Sequence, residues 1–296
     1  MRRAMLIVNP GARRAERRRR EAEAALAKAG VECTTFVTNA PGHATTLASE
    51  HAANCDVVFA LGGDGTAMEV LTALADKGPP LGILPGGTGN VLVRSLSIPL
   101  GITRAVNALL GGVETRMDLG RLPDGRHFAI GLGTGLDERL IAGASKALKQ
   151  RAGVWAYVWS ATKAAFRLDQ FRVRLTVDGT THEREVASVL VANLGTTLGG
   201  LITFGNQIRH DDGILTAILF TPTNFFQVLR IFARMLFATA HRDACVHYAS
   251  GRTIRLETVP PRQYQADGEL LGVTPVEMVV RPGAARLLVP RGPRSS

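Results

Sequence analysis

Short apolar runs alternate with amphipathic stretches along the first part of the chain. Four runs have the length and pattern of strands: residues 4–8, 31–38, 56–61 and 81–85. Three segments have the spacing of helices: residues 13–28, a segment that opens at residue 41, and residues 67–74. Strands that alternate with helices in this way predict a doubly wound α/β domain with a parallel sheet over residues 1–116.

From residue 117 the pattern changes to short strands at close intervals. The predicted strands are residues 128–130, 171–177, 185–192, 213–220, 252–257, 263–266 and 276–280. Turn signals separate them, among them Asp178-Gly179, Asp212-Gly213 and Asp267-Gly268. Two helices are predicted to interrupt the strands, over residues 144–167 and 223–240. This pattern predicts an antiparallel β-sandwich over residues 117–282, followed by a tail, residues 283–296, that returns to the first domain.

Glycine-rich loops follow the third and fourth predicted strands, at residues 62–66 and 86–90. Glycine permits positive φ and close approach of a ligand to the backbone, and the N–H groups at a helix start attract an anion. The carboxylate of Asp64 would repel a phosphate unless a metal ion or a proton lay between them. The first loop therefore indicates a nucleotide phosphate with Mg²⁺, and the alternative is a tight turn with an incidental Asp. Two such loops at the carboxyl ends of neighbouring strands could cradle a triphosphate.

The charge and the cysteine content limit the classes of partner and compartment. The 296 residues carry a net charge of +10, which indicates an acidic partner such as a nucleotide, nucleic acid or anionic lipid surface. Aromatic residues make up only 5 %, without basic–aromatic interleaving, so a stacking platform for single strands is poorly supported. Three widely spaced cysteines favour a reducing cytoplasm over a disulfide framework or a zinc site. The apolar runs are too short or too interrupted to predict a signal peptide or a membrane-spanning helix.

Three segments of the sequence together resemble a known family. Gly62-Gly63-Asp64-Gly65-Thr66, Pro85-Gly86-Gly87-Thr88-Gly89-Asn90 and Asp267-Gly268-Glu269 resemble the diacylglycerol kinase catalytic-domain family, which includes bacterial lipid kinases and sphingosine and ceramide kinases. The resemblance covers essentially the whole chain. The first segment alone is also found in NAD kinases and resembles loops of phosphofructokinases, but the second segment and the β-rich second half favour lipid kinases.

The resemblance implies the positions of the ligand sites. The ATP site would comprise Asn9, Pro10, Gly11, Ala12, Arg13, Thr38, Gly62, Gly63, Asp64, Gly65, Thr66, Ala67, Met68, Thr88 and Asn90. Glu69 also matches a family residue, although helical geometry allows it to be simply solvated. A Mg²⁺ ion would be bound by Asp212 with the backbone carbonyls near Arg209 and Ile214.

The catalytic hypothesis assigns roles to two carboxylates on loops of different domains, which we expect to meet across a cleft. Glu269 would be the general base that accepts the proton of the acceptor hydroxyl, and Asp64 would be the nucleotide–metal residue. The reversed assignment stays open, as does a plain β-turn at residues 267–269. The chain departs from the family where many bacterial members have Asp after the Asn of the second loop. Val91 stands there, and Asp118 is one candidate to replace that carboxylate.

The sequence thus predicts an ATP-dependent lipid kinase that acts on a lipid hydroxyl, diacylglycerol or a related lipid. Sphingoid-base or ceramide kinases and an NAD-kinase-like enzyme with a soluble substrate are the alternatives, and a non-catalytic nucleotide- or nucleic-acid-binding regulator ranks lowest. Apolar residues beside arginines in the helix at 223–240, and a similar mixture in the helix at 144–167, predict peripheral contact with the anionic inner face of the membrane. The alternative is that both helices pack on the sandwich. A homodimer stays open.

Overall fold

The computed structural model describes residues 1–12, 14–135, 169–197, 201–205 and 207–291. It divides into two compact units, one formed by residues 1–117 with those from 283 onward, the other by residues 118–282. The helix predicted over residues 144–167 and the proposed ATP-site residue Arg13 lie outside the described residues.

The first unit is built on a parallel sheet. Its strands are β1 (Arg3–Val8), β2 (Glu32–Val37), β3 (Val57–Gly62) and β4 (Leu81–Pro85), in the order β2-β1-β3-β4. Every residue of β3 and β4 is buried, as expected of strands covered on both faces. Because β2 and β3 lie on opposite sides of β1, the strand order reverses between β1 and β3. In open α/β sheets the carboxyl ends of the strands at such a reversal form the ligand crevice.

Five helices accompany this sheet: α1 (Ala15–Lys28), α2 (His43–His51), α3 (Asp64–Leu74), α4 (Val91–Ser95) and α5 (Ile102–Leu110). Helix α1 packs with α5, and α2 packs with α3. A 3₁₀ turn follows α2 at Ala52–Asn54. The expected start of the third helix at residue 67 is wrong, because α3 already begins at Asp64. A carboxylate in the first turn of a helix interacts favourably with the helix dipole, and this supports the earlier start.

Two antiparallel sheets form the second unit. Their strands are β7 (Gly131–Gly135), β8 (Phe171–Val177), β9 (Thr180–Val186), β10 (Ser188–Ala192), β13 (Leu215–Phe220), β14 (Val246–Gly251), β15 (Thr253–Val259), β16 (Gln263–Ala266), β17 (Glu269–Val273) and β18 (Val276–Val289). The first sheet has the order β14-β13-β10-β7-β16-β17, and the second has the order β18-β15-β8-β9. Four further strands complete the set. The nine-residue β5 (Val113–Arg121), which begins in the first unit, pairs with β6 (His127–Phe128), and the short β11 (Thr196–Thr197) pairs with β12 (Ile202–Thr203).

Apolar side chains from both sheets form one core in this unit. Leu132 and Val189 from the first sheet and Val173, Leu256 and Met278 from the second are fully buried in it. This architecture confirms the expected antiparallel sandwich. The predicted strand at residues 185–192 is in fact two strands, β9 and β10. The strand expected to end at residue 280 continues to Val289, and its part from residue 283 belongs to the first unit, where Leu287 pairs with Leu81 of β4.

One described helix belongs to the second unit, α6 (Phe225–Leu236), followed by a 3₁₀ turn at Ala240–Arg242. It is shorter than the predicted residues 223–240. The side chain of Asn224 accepts a hydrogen bond from the N–H of Gln227 and so caps the start of the helix. Just past its end, Ala238 has a φ of 55°, which stops the helix. Among the described residues, no helix combines the length and the apolar content needed to span a bilayer.

Candidate active site

The turn after β1 is tied to the start of α3. The side-chain N–H of Asn9 donates to the hydroxyl of Thr66 at 3.0 Å, and the N–H of Gly11 donates to the side-chain oxygen of Asn9 at 2.9 Å. The backbone N–H of Asn9 also donates to the carbonyl of Leu61 at the end of β3. Asn9 and Thr66, both predicted to be ATP-site residues, therefore join the two strand ends at which the strand order reverses.

The two glycine-rich loops of the first unit touch backbone to backbone. The N–H of Gly86 donates to the carbonyl of Gly62 at 2.9 Å, and a Cβ on Gly86 would lie 2.6 Å from that carbonyl oxygen. A Cβ on Gly87 would lie 2.7 Å from the Cα of Gly63. The described residues with positive φ do not include Gly62, Gly63 or Gly65, so the expectation of positive φ in the first loop is wrong. Gly86 and Gly87 are therefore needed because a side chain at either position would force the loops apart.

The carboxylate of Asp64 connects the first loop to the second. Its two oxygens accept hydrogen bonds from the N–H groups of Val91 at 3.1 Å and Leu92 at 3.0 Å, at the start of α4. Asn90, in the left-handed region at φ 47°, shapes the same loop by exchanging two hydrogen bonds with the backbone of Gly87, each 2.9 Å long. A carboxylate oxygen has a second lone pair, so Asp64 retains acceptor capacity beyond these two bonds.

The N-terminus of α3 has backbone N–H groups without a partner within the helix. The first backbone bond of the helix runs from the N–H of Ala67 to the carbonyl of Gly63, and Gly63 contributes no side-chain cap. The N–H groups of the first helical residues, Asp64 to Thr66, thus have no partner within the helix. Such a terminus is suited to bind a phosphate.

The other proposed ATP-site residues of this unit differ in exposure. Ala67 and Met68 are buried in α3, and Thr38 is buried just after β2, with its N–H bonded to the carbonyl of Val8 at 2.9 Å. Residues with an exposed or half-exposed position at the strand ends are Pro10, Gly11, Ala12 and Thr88.

Sequence reasoning missed the position of Arg18. Its guanidinium donates to the carbonyl of Gly86 at 3.0 Å, although Arg18 is not among the predicted site residues. The spacing of Arg18 to Ala22 and Ala25, which are buried on α1, is the signal that could have found it. Neighbouring Arg17, Arg19 and Arg20 instead pair with glutamates along the exposed face of the helix.

Glu69 supports a neighbouring helix. Its carboxylate accepts a hydrogen bond from the N–H of Ala44 at 3.0 Å, and its backbone carbonyl accepts one from the Thr45 hydroxyl at 3.0 Å. Both partners lie in the first turn of α2, whose end groups need such acceptors. These contacts give Glu69 a structural role.

In the second unit, Glu269 follows a two-residue hairpin turn. Asp267 has a φ of 48° and Gly268 a φ of 90°, and Ala266 of β16 lies opposite Glu269 of β17. Two successive positive φ values are typical of the tight turns that match the twist of antiparallel strands, and Asp-Gly is a preferred pair there. Glu269 is exposed at the end of this turn. Its negative charge also helps to raise the pKa of Arg126, after the larger effect of the hydrogen bond from Arg126 to Asp124.

The carboxylate of Asp267 anchors the turn. One oxygen accepts from the N–H groups of Ile130 at 2.9 Å and Gly131 at 3.0 Å, and the other accepts from Ala129 at 2.8 Å. The N–H of Gly268 donates to the side-chain oxygen of Gln265 at 2.8 Å. The backbone that carries Glu269 is therefore held by several hydrogen bonds.

The proposed metal residues lie in the loop before β13. Asp212 is exposed, and one of its carboxylate oxygens accepts from the N–H of Ile214 at 3.2 Å. Arg209 pairs with Asp211, which leaves its backbone carbonyl as the group that could bind a cation. The buried carboxylate of Asp118 holds the loop by accepting from the N–H of Gly213 at 2.6 Å.

The chemistry of these donors fits Mg²⁺, because one carboxylate with backbone carbonyls is a set of hard oxygen ligands. The side-chain Oδ1 of Asn193, in the same unit, is buried and has no hydrogen-bond partner among the described residues. The N–H₂ group of this side chain donates to the carbonyls of Asp118 and Ala129. In the described part of the chain, no three His, Cys, Asp or Glu side chains gather as a metal cluster.

Two family models match the chain. Residues 3–122 match the diacylglycerol kinase catalytic domain, and residues 132–289 match the YegS C-terminal NAD kinase beta sandwich-like domain. Relatives named diacylglycerol kinase include one from Bacillus subtilis, 29 % identical over 94 % of this chain and 93 % of that protein, and one from Staphylococcus saprophyticus, 29 % identical over 84 % and 82 %. An uncharacterized Synechocystis protein is 27 % identical over 79 % of this chain, which spans only 54 % of that protein.

Solved structures are similar over nearly the whole chain. A protein from Bacillus anthracis, provisionally named a diacylglycerol kinase, has a TM-score of 0.85 and 26 % identity, with 97 % of this chain and 95 % of that chain covered. An NAD kinase from Archaeoglobus fulgidus in complex with ATP has a TM-score of 0.53 and 16 % identity, with 97 % and 93 % covered. The second likeness extends the similarity to the NAD kinase fold.

Proposed function

Because this chain belongs to the diacylglycerol kinase catalytic-domain family, we propose that it transfers the terminal phosphate of ATP to the hydroxyl of a membrane lipid, diacylglycerol or a close relative. The observation that supports this proposal most strongly is the contact between the two glycine-rich loops beside the N-terminus of α3. Backbone contact at Gly62 and Gly86 leaves no side chain in the way, and the helix N-terminus supplies N–H donors for a phosphate.

In this proposal the first unit binds the nucleotide. Asn9 and Thr66 hold the turn after β1 against α3, and Arg18 holds the second loop through the carbonyl of Gly86. Asp64 joins the first loop to the start of α4 through the N–H groups of Val91 and Leu92, and its remaining lone pairs would be available to a metal ion bound with the nucleotide. Phosphoryl transfer depends mainly on such positioning and on neutralising charge.

We assign the general base to Glu269. Its carboxylate is exposed, follows a turn held by the hydrogen bonds of Asp267, and can accept the proton of a lipid hydroxyl as that oxygen attacks phosphorus. Bound Mg²⁺ supplies charge neutralisation at the phosphates. The residues that would hold an ion are Asp212, through its carboxylate, and Arg209 and Ile214, through their carbonyls. The protein would act as a peripheral enzyme at the inner face of the membrane.

The test is to incubate the purified protein with radiolabelled ATP, Mg²⁺ and separate acceptors in detergent micelles. The acceptors are diacylglycerol, monoacylglycerol, sphingosine, ceramide and, as the soluble alternative, NAD. We expect label in a lipid product that depends on the added acceptor, with diacylglycerol the best acceptor. Label in NAD alone, or in none of the acceptors, would contradict the proposal. Preferential labelling of sphingosine or ceramide would keep the lipid kinase and change its substrate.

A further inference from the structure

Helix α6 presents an apolar face to solvent. Phe226, Leu229 and Leu236 of the helix and its C-cap residue Phe237 are spaced at i, i+3, i+10 and i+11, so they share one side. We refer to these four residues as the α6 apolar face. Their exposed fractions are 78 %, 53 %, 41 % and 79 %.

The opposite side of the same helix is already packed. Ile231 is buried in a core cluster with Leu190, Ile218 and Phe220, and Met235 packs against that cluster. The helix therefore has its core contact without the α6 apolar face. Exposed apolar surface of this kind marks a site of interaction with a protein or a membrane.

The charges beside this face are basic. Arg230 and Arg234 lie within 2.8 and 3.4 Å of the carboxylate of Asp243, whose side chain is fully buried, and Arg242 is exposed. Burial would raise the pKa of Asp243, but hydrogen bonds from Arg230 and the N–H of Cys245, with the two arginine charges, lower it below its ordinary value. Asp243 is the only acidic residue in residues 223–244, which also contain three arginines. The segment thus carries excess positive charge, and its one carboxylate is turned inward.

The positive charge of this segment indicates which partner covers the α6 apolar face. A second copy of the chain, paired through the same face about a two-fold axis, would bring two arginine-rich surfaces together. An anionic bilayer instead takes up exposed phenylalanine and leucine side chains and attracts the flanking arginines. We propose that the α6 apolar face, flanked by Arg230, Arg234 and Arg242, is the surface by which this protein binds anionic membranes. The inference deepens the proposed lipid kinase function and rests on it for the biological source of the bilayer.

The test is sedimentation with sucrose-loaded vesicles of phosphatidylcholine, with or without phosphatidylglycerol, in the absence of ATP. The wild type should bind the anionic vesicles and be released by salt. The double variant Phe226→Asp/Phe237→Asp should bind at least about tenfold more weakly for each phenylalanine replaced. Arg242→Gln should weaken binding about fivefold, and only to anionic vesicles.

Leu100→Asp is the matched control, because Leu100 is 46 % exposed in the first unit and belongs to no proposed site. It should bind vesicles as the wild type does. Thermal unfolding of each variant checks that the fold is intact. Equal vesicle binding by the wild type and the folded double variant would overturn the inference. So would a wild-type dimer in light scattering that the double variant converts to a monomer without a change in vesicle binding.

This readout is independent of catalysis, so it separates the inference from the proposed function. A wild type that labels lipids in micelles, with vesicle binding unaffected by the double variant, would retain the kinase and remove the docking surface. A wild type that labels no lipid, with vesicle binding lost in the double variant, would retain the docking surface and remove the proposed kinase.

Discussion

The first glycine-rich loop and the hairpin turn at residues 267–268 both place aspartate beside glycine, but they need glycine for different reasons. Where this loop meets the second one, Gly86 is not among the residues with positive φ, and it is needed because a Cβ there would lie 2.6 Å from the carbonyl oxygen of Gly62. In the hairpin, Gly268 has a φ of 90° and open space around the position of a Cβ. One glycine permits close contact, and the other permits an unusual backbone conformation.

The acidic residues of the two regions show a second difference. Asp64 and Asp267 have the same kind of task, since each carboxylate binds backbone N–H groups of another segment. Only the hairpin adds a further carboxylate, Glu269, which is exposed. An acidic residue in a glycine-rich motif can therefore serve the architecture, and the exposure of Glu269 supports its proposed role as general base.

The largest effect is expected from Glu269→Gln. If Glu269 is the general base, the amide cannot accept the hydroxyl proton, and turnover should fall by about 10²- to 10⁴-fold. Binding of ATP should be unchanged, because the proposed nucleotide-binding residues lie in the first unit. Radiolabel transfer and equilibrium binding of a nucleotide analogue measure the two quantities. Glu185→Gln, at an exposed position of β9, is the matched control, and full activity of Glu269→Gln would reverse the assignment.

Substitution of Gly86 and of Gly268 by alanine tests these two uses of glycine. In Gly86→Ala the new Cβ would lie 2.6 Å from the carbonyl oxygen of Gly62, so the loops must separate. We expect a loss of about 3 kcal/mol in the free energy of unfolding, together with weaker nucleotide binding. Gly268→Ala meets no atom and should cost only about 1 kcal/mol, from the positive φ. Urea unfolding measures both, and the opposite ranking would contradict the comparison.

The elements that the sequence predicted best are those whose pattern is local. The strands at residues 81–85, 171–177 and 263–266 have the predicted bounds, because each is a strand-length apolar or alternating run bordered by turn residues. The start of α3 was misplaced because Gly-Asp-Gly has the composition of a loop, whereas Asp64 is held by the N–H groups at the start of α4, 27 and 28 residues away. Tertiary contacts of this kind override local propensity.

The candidate site was predictable only where residue type indicates chemistry. Glycines, Asp64 and Glu269 stood out in the sequence because such residues bind phosphates or move protons. The contact of Arg18 with the carbonyl of Gly86 and the support that Glu69 gives to α2 depend on how helices pack. A sequence does not specify which of several arginines on one helix reaches a carbonyl 68 residues further along the chain.

A smaller effect is expected from Asp267→Asn, which weakens the anchor of the hairpin but leaves Glu269 in place. An amide cannot accept at both ends, so part of the set formed with Ala129, Ile130 and Gly131 is lost. The free energy of unfolding should fall by about 2 kcal/mol. If the anchor also positions Glu269, kcat should fall about tenfold while the KM for ATP stays constant.

Asp178→Asn is the control for that variant, because Asp178-Gly179 is another tight turn of this unit with a carboxylate bound to backbone N–H groups. It should lower stability without lowering kcat. A fall in kcat of equal size in both variants would assign the effect to general loosening of the sandwich.

The smallest effect is expected in how the free energy of unfolding depends on pH when Asp178, in the turn at residues 178–179, is replaced by asparagine. Hydrogen bonds from the N–H groups of Thr253 and Arg252 lower the pKa of Asp178 below its ordinary value of 3.8. A carboxyl whose pKa is lower in the folded state stabilises the fold above its unfolded-state pKa, and this contribution is lost as the pH falls through the folded-state value. Between about pH 5 and about pH 3, the wild type should therefore lose more stability than Asp178→Asn, as measured by urea unfolding at each pH. If the free energy of unfolding fell equally with pH in the wild type and in Asp178→Asn, the N–H groups at this turn would not favour the charged carboxylate. The anchoring of backbone N–H groups by Asp64 and Asp267 would then need separate proof.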